Sequence, residues 1–392
     1  TFTQKKRGTM RIFFQHFICL LFLQNLIAQV QVEVNPPENI KSIVFKGPTE
    51  DQFPVIKIGE PLYLEFDDIL ANEQDYYYKI VHCDYDWTTS SLLKSQFLDG
   101  VDNQRITDYE NSYSTLQSYS NYQLTIPNDN VRLKVSGNYL LEVYNSYNEI
   151  QFSRRFVVYK DVVTVQFSIN SGSTRLINPK KEVKVAILQN HYWPTMITNI
   201  APQYTLGSEL VYKYDQETAF YGGNEFLLFD TSDLRAPSSQ ISSIDDDFRN
   251  DKPYTYFPDI NGDFVVRTLQ GDNASREAEY TNVHFSLPYT EFIALDDVYV
   301  FGKFNNYALT EENKMIYNEK NGMLEATLKM KQGFYNYKYA IKSDDKIKLN
   351  EVGGNFHFTE NTYLVLVYYR NFGDMYDSII GIGSANSRNI TN

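Results

Sequence analysis

Hydrophobic and polar residues alternate along most of the chain in short runs, and turn signals separate these runs. Neighbouring side chains of a β-strand point to opposite faces, so a period of two predicts strands with one buried face. Helical periodicity is almost absent. In the first third of the chain the predicted strands are 40–46, 61–68, 76–82, 121–126, 138–144 and 151–159.

The same alternation continues to the end of the chain. A second group of predicted strands comprises 162–169, 182–189, 209–214, 224–230, 263–269 and 279–287, with a possible edge at 254–256. Between them, residues 236–250 contain Asp245, Asp246 and Asp247 in succession, a pattern that predicts a solvated loop. A third group comprises 298–302, 304–307, 315–318, 323–330, 334–341 and 363–369.

These patterns predict an all-β protein of three consecutive immunoglobulin-like β-sandwich domains. A chain of 392 residues exceeds what one hydrophobic core usually serves. Short strands separated by turn signals such as Pro127-Asn128-Asp129 are typical of sandwiches. The expected domains are an N-terminal one at 29–160, a second at 161–290 and a third at 291–392.

The start of the chain indicates export. Residues 1–28 combine a basic start, an apolar run and a small residue, Ala28, which is the pattern of a cleaved signal peptide. The alternative, a membrane anchor, needs an uninterrupted apolar run of about 20 residues. Loss of this segment removes four basic residues and takes the net charge from −13 to −17. So acidic a chain argues against nucleic acid and anionic lipid as partners.

The stretch 76–87 concentrates the residues that could carry chemistry: His82, Cys83, Asp84, Asp86 and Trp87. Two carboxylates two positions apart could act as acid and base, or each could cap a turn by accepting a backbone N–H bond. We expect the turn, with Trp87 as a buried anchor that closes the sandwich. Cys83, left alone once Cys19 is removed, is expected to be a small buried apolar residue.

Other catalytic and metal-binding patterns are weak. The chain has no Gly-x-Ser-x-Gly elbow, no His-Glu-x-x-His helix and no P-loop. The run Asp259-Ile260-Asn261-Gly262-Asp263 resembles a calcium loop, but its glycine comes too early and Gln270 stands where a glutamate is needed. His82, His191, His284 and His357 are too scattered for a zinc set. We therefore expect no enzyme activity, no catalytic residues, no cofactor and no metal.

Two segments of the third domain resemble a known module. Val298–Tyr307 and, some thirty residues later, Gly333–Tyr339 are similar to the early-set immunoglobulin-like domains related to glycogen-binding modules. Those modules bind glucans through exposed tryptophans, and here Tyr307 stands where a tryptophan is common. The resemblance implies the fold, and it leaves carbohydrate binding as the alternative function.

A wider resemblance covers nearly the whole mature chain. The segments that carry it are His82–Trp87, Ser91-Leu92, Phe97–Gly100, Ile106–Tyr109, Ser112 with Thr115, Tyr119 with Tyr122, Ile126–Asn128, Ser136–Tyr139, Tyr368–Asp377 and Ile380-Gly381. They resemble the plug protein family of the type IX secretion system, with Met375 where a basic residue is expected. The resemblance implies a non-enzymatic periplasmic subunit at the inner face of the outer membrane. Such a subunit binds the periplasmic mouth of the giant barrel translocon and plugs its pore.

The long connection 83–120 is expected to form part of the contact with the barrel rim. It is rich in Tyr, Ser and Asn, and a loop of this length in a compact domain usually has a function. Tyrosine suits an interface because it offers a large contact area and a polar tip at small entropic cost.

Overall fold

The computed structural model describes residues 30–167, 173–177, 183–190, 193, 204–206, 209–213, 220–233, 241–249, 252–290, 296–344, 346–356 and 359–389, and these are mostly β-structure. The helices are single turns: α1 (Lys94–Phe97), α2 (Ala274–Glu277), and 3-10 turns at Lys303–Asn305 and Ser387–Asn389. Within these ranges no helix has the length and apolar character needed to cross a membrane. The expected signal peptide lies outside the described residues. The all-β prediction is confirmed.

The first unit contains two facing sheets, ordered β1-β3-β8-β7 and β2-β11-β10-β4-β6, and a small β5-β9 pair. Its core is aromatic: Phe66 stacks on Tyr122 with ring centroids 5.1 Å apart, and Tyr76 and Phe152 pack edge-on against Phe66. Its strands are β1 (Ile40–Lys46), β2 (Val55–Lys57), β3 (Leu62–Asp68), β4 (Tyr76–Cys83), β5 (Leu98–Gly100), β6 (Gln104–Arg105), β7 (Asp108–Asn111), β8 (Ser120–Ile126), β9 (Val131–Leu133), β10 (Gly137–Asn145) and β11 (Ile150–Tyr159).

The second unit combines strands from two distant parts of the chain. Its first part supplies β12 (Thr164–Phe167), β13 (Ser173–Ile177), β14 (Val183–Gln189), β15 (Tyr204–Leu206) and β16 (Glu209–Lys213), and its second part supplies β26 (Thr362–Tyr369) and β27 (Ser378–Asn386). One sheet is ordered β12-β13-β16-β15 and the other β14-β26-β27. Val183 of β14 pairs with Tyr369 of β26 in the second sheet, so strands that are far apart in the sequence are neighbours in one sheet.

The third unit lies in the sequence between these two parts. Its strands are β17 (Leu227–Asp230), β18 (Ile241–Asp245), β19 (Phe264–Val266), β20 (Tyr280–Pro288), β21 (Asp297–Phe301), β22 (Ile316–Asn318), β23 (Met323–Lys331), β24 (Gly333–Ser343) and β25 (Lys346–Lys348). One sheet is ordered β18-β20-β23-β22, and β24 pairs with β17, β19, β21 and β25 in the other. A shared core that includes Phe229, Phe285 and Tyr335 joins the two sheets.

The strand pairing differs from the expected division of the chain at residue 290. β20 and β23 lie on either side of that boundary and pair along their whole length, from Tyr280–Lys331 to Pro288–Met323. A domain boundary does not divide a paired sheet. We therefore propose that the third unit, about 220–356, is inserted into a second unit made of 161–219 and 359–389.

The expectation of a solvated loop at 236–250 was wrong for 241–245, and residues 236–240 and 250 lie outside the described residues. Residues Ile241–Asp245 form strand β18, which pairs in parallel with β20. Asp246 directly after it accepts hydrogen bonds of 2.6 Å from the hydroxyls of both Tyr337 and Tyr339. Acids placed at a strand end to satisfy buried tyrosines look, in sequence, the same as acids in a solvated turn. The possible edge strand at 254–256 is irregular.

A buried ion pair joins the first unit to the third. Asp67, fully buried at the end of β3, accepts from the Lys331 ammonium at 2.7 Å and from the Tyr280 hydroxyl at 2.6 Å. Lys331 is itself 1% exposed, and its ammonium lies 4.2 Å from the centroid of the Tyr119 ring. Burial raises the pKa of the Asp67 carboxyl, and the Lys331 charge opposes that shift. Each charge therefore depends on the opposite unit.

We predict that Lys331→Met destabilises the protein by about 3–5 kcal/mol, because removal of one partner leaves the other charge buried and unpaired. The double variant Asp67→Asn with Lys331→Met should recover most of that loss. The free energy of unfolding, measured with urea, tests both. Lys252→Met, at an exposed pair with Asp247, is the control and should have no measurable effect. A double variant as unstable as Lys331→Met would contradict the pairing.

Candidate functional site

The two longest segments that carry the family resemblance, 82–87 and 368–377, contact each other between the first and second units. The Tyr368 hydroxyl donates to Asn138 Oδ1 at 2.9 Å. The Tyr376 ring packs edge-on against His82 with centroids 5.3 Å apart. Ser91 Oγ donates to the Met375 carbonyl at 3.1 Å. We call this contact the signature seam, defined by residues 82–87 and 368–377.

Strands β14 and β26 are apolar at consecutive positions because both faces of their sheet are buried. Leu364 and Leu366 point to the first unit, where they join a core with Trp87. Val365 and Val367 point the other way and pack against Val163 of the second unit. A continuous apolar run in sequence is expected for a strand covered on both sides. The first unit therefore supplies one face of the second unit's core.

A group of charged side chains closes the edge of the signature seam. The Arg370 guanidinium lies 2.6 Å from Asp84 Oδ1 and 2.9 Å from Asp377 Oδ2. The Lys184 ammonium lies 3.5 Å from Asp377 Oδ1 and 3.5 Å from the centroid of the Tyr85 ring. Because Asp377 is 1% exposed, its charge needs these cations. The bridge ties β4 of the first unit to the β26–β27 connection.

Trp87 is buried as expected, but in a different place. Its side chain is 3% exposed and lies in the core between the units, outside the interior of the first sandwich. It packs against Trp193 with ring centroids 5.1 Å apart, and the Arg155 guanidinium lies 4.4 Å from its centroid. Its backbone has φ of +65° at the end of the turn that starts at Asp84. The turn thus directs the ring outwards to the second unit.

The two carboxylates of the stretch have different partners. Asp86 Oδ1 accepts from the Thr88 backbone N–H at 3.1 Å and from its hydroxyl at 2.6 Å, which is the expected turn cap. Asp84 instead pairs with Arg370. Because each carboxylate is bound to its own partner, the geometry gives no support to an acid–base pair.

His82 and Cys83 are buried and neutral. Burial lowers the pKa of His82 to about 4 and raises the pKa of the Cys83 thiol to about 12. His82 Nδ1 is 2.8 Å from Ser90 Oγ. A Cβ on Gly137, where φ is +152°, would come within 2.4 Å of His82 Nε2, so the close approach of β10 requires glycine there. Neither side chain is placed to react.

Three apolar side chains remain exposed at the outer end of the signature seam. Phe372 is fully exposed at the tip of a turn that the Asp374 carboxylate closes by accepting from the Asn371 N–H at 3.1 Å. Met375, three residues on, is 47% exposed and is bound through its carbonyl to Ser91, and Leu93, two residues after Ser91, is 69% exposed. We call Leu93, Phe372 and Met375 the seam rim. Exposed apolar groups that cluster are typical of interaction sites.

Comparison with known proteins identifies the first unit. Residues 40–160 match the family model described as the type 9 secretion system plug protein 1st domain. These residues are a plug protein first domain. The family resemblance carried by residues 82–139 is therefore confirmed for this part of the chain.

A solved structure extends the similarity to the other units. The crystal structure of a hypothetical protein from Parabacteroides merdae ATCC 43184 has a TM-score of 0.83 and 28% identity, covering 91% of this chain and 100% of that one. Drosophila OTK, extracellular domains 3-5, covers 90% of this chain and 98% of that one at 11% identity, and its TM-score of 0.16 carries no weight. No curated protein matches the chain.

The long connection of the plug first domain is largely committed to internal contacts. It forms the helical turn α1 and three strands. Strand β5 pairs with β9, β6 pairs with β4, and β7 pairs with β8. Its last part docks on the third unit: the Glu279 carboxylate accepts from the N–H groups of Leu116 and Gln117, and the Tyr119 hydroxyl donates to the Ala278 carbonyl at 2.8 Å. Its exposed apolar side chains are Leu93, Val101, Tyr113 and Leu116.

Tyr307 and His284, considered for sugar and metal binding, lie elsewhere, in the third unit. Tyr307 packs against Phe301 with centroids 5.1 Å apart and lines a cleft of about 680 Å³ together with Tyr221, Lys338 and Asn350. His284 bonds to Thr327 at 2.9 Å. His191 and His357 lie outside the described residues.

The sequence patterns do not reveal one group of acids, because its three members are far apart along the chain. Glu225, Asp259 and Glu360 each place a carboxylate oxygen within 4.8 Å of the others. Only Asp259 belongs to the run that resembles a calcium loop. No spacing rule links it to residues thirty and a hundred positions away, so only the folded chain brings them together.

We predict that the stability contributed by neutral His82 is lost on acidification. Its pKa is near 6.5 in the unfolded chain and about 4 in the folded protein, so the unfolded chain binds the proton first as pH falls. The contribution is present above pH 6.5 and declines towards pH 4, by about 3 kcal/mol at 1.36 kcal/mol per pKa unit. Urea unfolding of wild type and His82→Gln across this range should show their stability difference shrinking with acid. A difference that stays constant would refute this account.

Proposed function

We propose that the protein is a non-enzymatic periplasmic subunit of the type IX secretion system. It binds the periplasmic mouth of the outer-membrane barrel translocon and plugs its pore. The observation that carries this proposal is the plug first domain at 40–160, joined to two further β-units through buried contacts.

The way the units are joined suits an object that must seal an opening. A wide water-filled pore leaks small solutes unless its plug keeps a fixed shape. The backbone hydrogen bonds of a β-sandwich are satisfied internally, and its core is close-packed, so it deforms little. The buried Asp67–Lys331 pair and the signature seam extend that rigidity across the units.

We place the translocon contact at the seam rim. Phe372 and Met375 lie on a turn next to the Arg370–Asp377 bridge, whose aspartate is buried, so this turn is held in place by the bridge. Phe372 loses no internal packing when it binds a partner, because it is fully exposed. Complete burial of such a ring contributes about 1.5–3 kcal/mol, or about 10- to 100-fold in affinity.

We predict that Phe372→Ser weakens co-purification with the translocon from envelope membranes by about 10- to 100-fold in affinity, and that Met375→Ser added to it weakens the association further. Tyr147→Ser is the matched control, since Tyr147 is 82% exposed and lies at the far end of β10 from the seam. Because all these side chains are exposed, the variants should unfold at the wild-type urea concentration. Unchanged association of the Phe372→Ser and double variants would place the contact elsewhere.

The plugging role itself has a separate test. We expect that cells lacking this chain become permeable to small hydrophilic probes only when the translocon is present, because the open barrel is then the only new path. Uptake of a membrane-impermeant dye, compared in cells with and without the translocon, measures this. An outer membrane that stays tight, or a leak that does not need the translocon, would rule out plugging.

A further inference from the structure

Three carboxylates converge where the third unit is inserted into the second. Glu225 precedes β17 on the connection that enters the third unit, and Glu360 precedes β26 on the connection that leaves it. Asp259 comes from the loop before β19. One oxygen from each side chain lies within 4.8 Å of the others. Both connections between the second and third units therefore contribute a carboxylate to the same group.

The Glu225 carboxylate is buried and incompletely bonded. The residue is 2% exposed. Its Oε1 accepts from the Tyr254 hydroxyl and from the Glu360 backbone N–H at 3.1 Å. Its Oε2 is buried and has no hydrogen-bond partner among the residues that the structure describes. A buried carboxylate oxygen without a donor is costly unless a cation neutralises it.

The Lys338 ammonium, whose charge acts on this group, does not fill this role. The Lys338 ammonium lies 3.9 Å from the centroid of the Phe226 ring. None of the ion pairs found in the described part of the chain includes Lys338, although its charge acts on both Asp259 and Glu225. The Arg249 charge also acts on Glu225, and more strongly on Asp246. With three carboxylates and two cations, the group still keeps an excess of negative charge.

The Asp259 side chain is already held in position. Its Oδ1 accepts from the Asn261 N–H at 2.9 Å, and its Oδ2 accepts from the Phe226 N–H. Asn336 Oδ1, fully buried, accepts from the N–H groups of Ile260 at 2.7 Å and Gly262 at 3.2 Å and so fixes the loop. A carboxylate oxygen that accepts one N–H bond keeps a lone pair for a metal ion.

We propose that Glu225, Asp259 and Glu360 form a binding site for one divalent cation, of which Ca²⁺ fits best. Ca²⁺ takes oxygen ligands at about 2.3–2.6 Å in flexible geometry, so two ligand oxygens on one ion can be about 5 Å apart. Mg²⁺, with bonds of about 2.0–2.1 Å and a strict octahedron, gives up its waters reluctantly, so a group of three protein carboxylates suits it less well. The bound ion joins the two connections and holds the third unit on the second.

Calorimetry on the purified chain, stripped with a chelator, tests the site without any translocon, so its outcome is independent of the plugging role. Titration with CaCl₂ should show one ion per chain with a Kd of about 10⁻⁵ to 10⁻³ M, and MgCl₂ should bind at least tenfold more weakly. Saturating Ca²⁺ should also raise the thermal midpoint. Absence of saturable binding by the folded protein overturns the proposal.

Variants assign the ligands. Glu360→Gln, at a half-buried position, should weaken Ca²⁺ binding at least tenfold, and Glu225→Gln should do the same. Glu319→Gln removes an exposed acid of the third unit, and this variant should bind Ca²⁺ as the wild type does. Lys338→Met should bind Ca²⁺ more tightly, because it removes a repelling charge. Wild-type affinity in folded Glu360→Gln and Glu225→Gln would refute the assignment.

Discussion

The Asp67 carboxylate has no access to water, and the first unit alone cannot neutralise it. Of its three hydrogen-bond donors, only Asn121 belongs to the first unit, whereas Lys331 and Tyr280 belong to the third. A buried charge without a partner costs several kcal/mol, so the native first unit requires the third unit in place. This constraint makes the plug first domain part of a larger rigid body.

The contact between the first and second units rests mainly on a different force. Leu364, Leu366 and Trp87 bury apolar surface there, which stabilises without much directional preference. The Arg370 bridge to Asp84 and Asp377 at its edge requires defined geometry and fixes how the surfaces meet. Apolar burial thus stabilises the contact and the charged groups fix its geometry. Residues 82–87 and 368–377 form the two sides of this contact.

This packing also decides which parts of the chain can meet a partner. Much of the long connection 83–120, which looks in sequence like a free binding loop, forms strands and docks on the third unit. Among the apolar side chains that remain exposed outside this connection is Phe372, at the outer end of the signature seam. The connections into the third unit leave a carboxylate oxygen of Glu225 without a hydrogen-bond donor in the described part of the chain, and a cation there stabilises the inserted unit.

Sequence by itself determined the all-β class, most strand positions and the family of the first unit, because alternation and local motifs are properties of neighbouring residues. Strand β1 has the bounds that its pattern predicts, and β10 differs by one residue at each end. Tertiary structure alone decided the pairing of β14 with β26, the partner of Asp84 and the meeting of Glu225 with Glu360. Those contacts join residues more than a hundred positions apart, and no local pattern records which distant surface covers a given face.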